Sequence, residues 1–318
     1  VSQKGPFENI GWIWMNGRLV EFDKATTHVM SHALHYGSGL FEGIRCYNTT
    51  QGPAIFRLRE HLVRLEHSCK VYRMEIPYTR DELEQACFDA IRSNGLEECY
   101  IRPIVYRGFG TVGLNPLKSP VEVVIAVWPW GRYLGDDAME NGVDACVSSW
   151  RRSGLGSSPA LAKATANYMN SQLIKMEAIT NGYAEGIALD SNGYVSEGAG
   201  ENIFLVQDGH LYTPPVSSTI LPGITRNSIM TLAEEAGIEV RRVAIPRGML
   251  YTCDEAFFTG TAVEVTPIRS VDRIAVGDGK PGEVTRMLTR EFLGITRGTI
   301  PDRHGWLTRV PAAVPVVS

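Results

Sequence analysis

The stretch "VSEGAGENIFLV", Val195–Val206, has the apolar ends of a β-strand and a middle unlike one. Between the ends stand two carboxylates (Glu197 and Glu201), an amide (Asn202) and two glycines (Gly198 and Gly200). An ionised carboxylate in a protein interior is costly unless it is paired. The stretch therefore reads as strand, turn, strand, with an acid that needs a partner.

The surroundings are strand-rich. Asn192-Gly193 and Asp208-Gly209 are turn signals on either side, and "VDACVSSWR" (143–151) is a further strand. Helical spacing marks "ATANYMNSQLIKMEAITNG" (164–182) and "ITRNSIMTLAEEAGIEV" (224–240). Nearer the start, "GWIWMNGRLVEF" (11–22) reads as a hairpin around Asn16-Gly17, and "PAIFRL", "CYIRPIVYRG" and "VEVVIAVWPWG" read as strands. "REHLVRLEHSCKVYRM" (59–74) places Leu62, Leu65, Cys69 and Tyr72 at helical spacing. "TRDELEQACFDAIRSNG" opens near Thr79 and closes at Gly95. The order predicts an α+β protein of two domains with mainly antiparallel sheets, without regular βαβ alternation. Expected boundaries are a small N-terminal domain over 1–131, a polar linker over 132–141, a larger domain over 142–310 and a tail over 311–318.

Composition narrows the function. The chain has 318 residues, 44% of them apolar, and a net charge of -4, so a basic nucleic-acid face is not expected. Six cysteines without a C-x-x-C pair fit free thiols in a reducing cytoplasm. No run of apolar residues is long enough for a membrane span, and "VSQKGPFENIG" lacks the apolar core of a signal peptide.

Two patterns are set aside. "GFGTVG" (108–113) matches G-x-G-x-x-G, but Pro116 and Pro120 follow and no helix opens to receive a pyrophosphate. His28, His32 and His35 have the spacing of one helical face, yet lack the H-E-x-x-H carboxylate, and read as imidazoles packed around a turn.

Among seven lysines, Lys163 stands apart, because "SPALAKATANYMN" (158–170) surrounds it with alanines. A partly desolvated lysine has a lowered pKa and is nucleophilic, and its usual partner is pyridoxal phosphate. The alternative is a surface lysine before a helix. Pyridoxal phosphate also needs phosphate donors and a carboxylate for its ring nitrogen. "LPGITRNSIM" (221–230) offers Gly223, Ile224 and Thr225 at a helix N-terminus, and Gly260-Thr261-Ala262 offers a second small-residue turn. Glu197 is the candidate acid, although taken singly it also reads as a satisfied turn carboxylate.

With these residues in hand, the chain resembles the branched-chain amino acid aminotransferases of pyridoxal-phosphate fold type IV, the D-amino-acid-aminotransferase-like fold. The resemblance runs from about Ile13 to Trp306 through "MSHALHYGSGLFEGIR", "YIRP", "PWGRYLG", "AKATANY", "SEGAGENIF", "LPGITR" and "GTAVEVTPI". It implies that Lys163 forms the Schiff base and shuttles the proton, that Glu197 holds the pyridinium proton and that Tyr168 bonds the phenolic oxygen. Arg64, Gly223, Ile224, Thr225 and Thr261 would hold the phosphate. Asn202 and Glu201 would brace the turn that aims Glu197. Tyr100, Thr261 and Ala262 would take the substrate α-carboxylate. Tyr36, Phe41, Gly43, Trp130 and Tyr133 would line the side-chain pocket, and Arg102 with the Tyr36 and Tyr133 hydroxyls would catch the γ-carboxylate of glutamate. The resemblance further implies ping-pong transamination between Leu, Ile or Val and 2-oxoglutarate. It also implies a homodimer as the minimum unit, with Val112 and Leu114 reaching the partner's pocket, and a larger homo-oligomer is compatible. D-amino acid and (R)-amine transaminases share the scaffold and are the alternative. Arg107 and Phe109 depart from the family pattern.

Overall fold

A computed structural model describes residues 5–131, 134 and 137–312. The chain forms two units: Val1–Gly131 with Ala162–Ala166 and Ile295–Ser318, and Arg132–Leu161 with Asn167–Gly294. The expected boundaries place 162–166 and 295–310 in the C-terminal domain; both belong to the first unit. Pairing is the reason. Ala164 bridges Leu40, and the C-terminal strand Leu307–Arg309 adds to Gly52–Phe56.

The first unit holds the hairpin Trp12–Met15 (β1) and Arg18–Glu21 (β2), then Gly39–Phe41 (β3), Ile44–Thr49 (β4), Gly52–Phe56 (β5), Cys99–Arg107 (β6) and Val121–Trp128 (β7). The order is C-terminal strand, β5, β4, β6, β7, β1, β2, with β3 on β6, and every pairing is antiparallel. Asn16 and Gly17 both take positive φ (49° and 89°), as a two-residue hairpin of this twist requires. His32–Tyr36 (α1) is short; Leu58–Val71 (α2) and Arg80–Ser93 (α3) pack against the sheet. Leu58, Leu62 and Leu65 of α2 meet Ile44, Ile101 and Ile125 in one core. Each such side chain contributes roughly 1.5–3 kcal/mol by leaving water.

The second unit holds the single-turn Ala138–Asn141 (α4), so the segment expected to be a linker carries some helix. Asn167–Thr180 (α5), Ile224–Glu235 (α6) and Glu283–Thr296 (α7) are its longer helices, and α7 runs on into the first unit. The sequence reading does not single out α7, which buries Leu288, Phe292 and Ile295. The strands are Val143–Val147 (β8), Glu185–Leu189 (β9), Val195–Gly198 (β10), Asn202–Gln207 (β11), His210–Thr213 (β12), Val240–Arg242 (β13), Glu255–Gly260 (β14), Glu264–Val271 (β15) and Ile274–Ala275 (β16). Their order is β10-β9-β8-β15-β14-β11-β12-β13, with β16 on β15. Three pairings are parallel: β8 with β9, β8 with β15, and β12 with β13. The remaining pairings are antiparallel. Asp208 and Gly209 (φ 51° and 74°) close the β11–β12 hairpin as their sequence predicts.

Thr79 caps α3 in a full capping box with Glu82. Thr79→Ala should cost about 1 kcal/mol. Urea unfolding followed by circular dichroism should show a lowered midpoint with an unchanged slope.

Candidate active site

Lys163 is placed by main chain. The Phe41 N–H of β3 donates to the Lys163 carbonyl (3.0 Å), the Thr165 N–H donates to Gly39 O (2.8 Å), and the Lys163 N–H donates to Ser68 Oγ (3.0 Å). Residues 163–165 thus lie beside β3, joined to it by an antiparallel bridge between Leu40 and Ala164. Ala162 and Ala164 are buried, while Lys163 is half-buried. The alanines are therefore small because their methyl groups enter the core, and alternation turns the lysine the other way. Lys163 Nζ lies 5.0 Å from the centre of the Phe41 ring.

The same unit builds an aromatic box. Tyr100 of β6 pairs across the sheet with Trp128 of β7, with ring centres 5.0 Å apart, and its ring lies 4.8 Å from that of Trp130, tilted by 39°. Arg102 sits inside, its guanidinium carbon 4.7 Å from the Phe41 ring centre, 5.1 Å from Tyr100 and 5.6 Å from Trp128. Its Nη2 donates to the Tyr100 hydroxyl (3.2 Å). Read alone, this strand would put Arg102 in solvent; instead it is half-buried among rings. Gly43 is required here, since a Cβ would fall 1.9 Å from the Tyr100 hydroxyl. Phe41, Gly43, Tyr100, Arg102 and Trp130 are thus brought together, and Trp128 joins them unforeseen.

Arg64 donates through Nε and Nη2 to both oxygens of Glu42 (2.7 and 2.8 Å), and His61 Nδ1 lies 2.7 Å from Glu42 Oε2. Burial raises the Glu42 pKa, but the Arg64 charge and these bonds outweigh it and hold the carboxyl well below its usual range. Burial lowers the His61 pKa, against the pull of Glu42, and the charges of Arg64 and then Lys163 lower it further. Glu42 and His61 escape the sequence reading. The i, i+3 spacing of His61 and Arg64 on α2 could have found the histidine.

In the second unit, the "SEGAGEN" turn joins β10 to β11. Glu197 Oε2 accepts from Asn202 Nδ2 (3.0 Å) and from the Leu221 N–H (3.1 Å), and Arg152 Nη2 stands 3.4 Å from Oε1. Arg152 also donates to the Gly198 and Ala199 carbonyls, to Asn170 and to Ser171. This ties the acid to α5, whose first turn carries Tyr168. Asn202 holds the next turn too, donating to Leu221 O (2.9 Å). A Cβ on Gly223 would fall 2.0 Å from Asn202 Oδ1, so only glycine admits this arrangement. Gly223 caps α6 with no side-chain bond, and no acid lies in the first turn, which begins with Ile224 and the buried Thr225. Such an end presents N–H groups and a positive dipole to an anion. Thr261 and Ala262 form the half-buried turn between β14 and β15. A helix end with no side-chain cap and an acid held by two hydrogen bonds and a guanidinium suit a phosphate and a protonated ring nitrogen, so the residues fit pyridoxal phosphate.

The loop 108–120 contains no helix, consistent with setting aside the dinucleotide reading. It exposes Val112 and Leu114 (68% and 89%), and the Gly113 N–H donates to the hydroxyl of half-exposed Tyr36 (3.1 Å). Tyr133 lies outside the described residues. His32 contacts Ser38 Oγ and Gly113 O, and His35 contacts Val29 O. Among the described residues no cluster of His, Cys, Asp or Glu is suited to a metal.

Comparison with known proteins adds the following. The pattern of the amino-transferase class IV family matches residues 39–271. A branched-chain-amino-acid aminotransferase of Escherichia coli (strain K12) is 52% identical over 300 residues, covering 94% of this chain and 97% of that protein. A crystal structure of the E. coli branched-chain amino acid aminotransferase superposes with a TM-score of 0.94 at 51% identity, covering 95% of this chain and 100% of the other. The branched-chain amino acid aminotransferase from Thermobaculum terrenum, in its PLP-bound holo form, superposes with a TM-score of 0.88 at 36% identity, covering 96% and 100%.

Glu201 braces the acidic turn by accepting from the Gly200 N–H (2.9 Å). Burial, and then the neighbouring Glu185 charge, push its pKa up to about 8, against the pull of Lys175 and Arg152. Between the ordinary carboxylate range and that value the folded protein keeps a proton that the unfolded chain has lost. Stability therefore falls as pH rises towards 8. Glu201→Gln removes this loss, so its melting temperature should gain on wild type between pH 5 and pH 8.5. A constant difference across that range would contradict the assignment.

Proposed function

The chain belongs to the class IV amino-transferases, and from that premise we propose that Lys163 and Glu197 are the amine and the acid through which it acts. The reaction is the exchange of an amino group between branched-chain L-amino acids and 2-oxoglutarate, with pyridoxal 5'-phosphate as cofactor. The observation that carries the residue assignment is the bracing of Glu197 by Asn202, Leu221 and Arg152. Two hydrogen bonds and a guanidinium 3.4 Å away hold this carboxylate in the orientation that a protonated ring nitrogen would meet.

When bound, pyridoxal phosphate supplies the aldehyde that takes up the amino group and a ring that draws electrons from Cα. Lys163 Nζ would hold the cofactor and, as a free amine, would accept the α-proton of the amino acid. Glu197 would hold the ring-nitrogen proton, and Tyr168 would orient the ring through its phenolic oxygen. The α6 end at Gly223, Ile224 and Thr225, with Thr261 and Arg64, holds the phosphate. Glu42 keeps the Arg64 fork oriented for this.

Substrate handling uses the box on β6 and β7. Tyr100, Thr261 and Ala262 bind the α-carboxylate. Phe41 and Trp130 form apolar walls, with Gly43 leaving space for Tyr100. Arg102 takes the γ-carboxylate of glutamate with Tyr36 and Tyr133. Rings stacked over a guanidinium let one pocket accept an aliphatic chain or a carboxylate. The active unit is a homodimer or a larger homo-oligomer, in which exposed Val112 and Leu114 meet the partner's pocket. Six free buried cysteines support a cytoplasmic location, and no helix among the described residues is long and apolar enough to cross a membrane. The similarity to branched-chain enzymes favours this reaction over a D-amino acid or (R)-amine transaminase.

Lys163→Ala should lower turnover at least about a thousandfold, and borohydride reduction with peptide mapping should mark Lys163 in the wild type. A label on any other residue would remove Lys163 from its role. Arg102→Ala should raise the KM for L-glutamate about 10- to 100-fold, the loss of a charged hydrogen bond, and that for L-leucine far less. Equal losses for both amino acids would count against the shared pocket.

A further inference from the structure

Arg107, the last residue of β6, has no place in the site described above. It is buried, and among the described residues its charge is met by carbonyls alone. Nη1 donates to Pro116 O (2.8 Å) and, more weakly, to Ser119 O (3.5 Å). Nη2 donates to Arg73 O (2.9 Å) and Tyr72 O (3.4 Å), just past the end of α2. Nε is buried without a partner among the described residues. Burial lowers the Arg107 pKa, in keeping with a guanidinium that no described carboxylate bonds. Burying a charge this way is unfavourable, so the side chain does something that an apolar residue would not.

What it does is join two pieces of chain. The Pro116 and Ser119 carbonyls belong to the far limb of the loop 108–120, which no helix or strand stiffens. Tyr72 and Arg73 belong to a fixed turn in which Arg73 takes a φ of 52°. A planar guanidinium can reach two carbonyl groups on one side and two on the other, whereas a lysine ammonium cannot span both. The near limb is held separately: His32 Nε2 lies 2.9 Å from Gly113 O, and Thr111 Oγ1 lies 2.9 Å from Ser119 Oγ. Between these tethers the loop presents Val112 and Leu114 to the outside.

We propose that Arg107 is a positioning residue for substrate selection: by clamping the loop 108–120 to the end of α2, it sets where Val112 and Leu114 meet a branched aliphatic side chain in the partner subunit's pocket. The inference rests on the proposed role of that loop. An apolar contact displaced by a fraction of a methylene is felt by leucine binding rather than by the chemistry at Lys163.

The test compares Arg107→Met, Arg107→Lys and Leu114→Ala as holoenzymes. For Arg107→Met, the KM for L-leucine should rise about five- to tenfold, with kcat and the cofactor absorbance spectrum near wild type and a smaller change for L-glutamate. Chymotrypsin should cut faster at Phe109, Leu114 or Leu117. Arg107→Lys, which keeps the charge and the stem, should fall between the two, and it serves as the test if the methionine variant does not fold. A raised leucine KM in Leu114→Ala, with none in either Arg107 variant, overturns the clamp and leaves the loop's role standing. An unchanged leucine KM in Leu114→Ala removes the loop from the pocket and overturns both. A fall in kcat equal for both amino acids in the Arg107 variants also overturns the inference, because it marks a general structural loss.

Discussion

The hydrogen bond from the Phe41 N–H to the Lys163 carbonyl is the constraint on which the placement of Lys163 depends. It sets a short piece of chain, 163–165, beside β3 through a bridge at Ala164, although it is remote from β3 in sequence. Period-two alternation then does the rest. Ala162 and Ala164 turn into the core, and Lys163 turns towards the face of Phe41. A lysine on a loop of its own would sample many positions; one pinned by its own main chain samples few. Phe41 also flanks Arg102, so the amine and the side-chain box share one wall.

In the second unit, the placement of Glu197 is governed by the amide of Asn202. One nitrogen donates both to Glu197 and to the Leu221 carbonyl, which locks the acidic turn to the turn before α6. The amide oxygen then crowds the space where any side chain on Gly223 would stand. Acid and helix end are therefore placed by one residue, and neither can shift without the other. Arg152 extends the same network to α5.

Much of this is legible in the sequence. The turn residues Asn16-Gly17 and Asp208-Gly209 and the capping box at Thr79 are local devices, and each forms where its letters predict. Lys163, Glu197 and the "LPGITR" turn stand out because their neighbours are wrong for an ordinary surface or core. Trp128, Glu42, His61 and Arg152 do not stand out. Trp128 matters only because β6 and β7 pair in the register that sets it opposite Tyr100, and register is a long-range property. Glu42 looks like any charged residue until Arg64 and His61 close around it. The reason for the alanines beside Lys163 is likewise hidden, because their burial follows from a pairing with Leu40.

The sequence by itself determined the local pieces: the hairpin turns, the cap of α3, the helix spacing of α2 and the identities of an unusual lysine and an unusual acid. These depend on residues within a few positions of one another, where backbone dihedral preferences and side-chain periodicity act directly. Only the tertiary structure decided that 162–166 joins the first unit, that Arg102 lies among rings and not in solvent, and that Arg107 spends its charge on four carbonyls. Those outcomes depend on which distant strands pair and which loops their ends bring close. That choice is made by burial and hydrogen bonding summed over the whole unit, and no short window of sequence contains it.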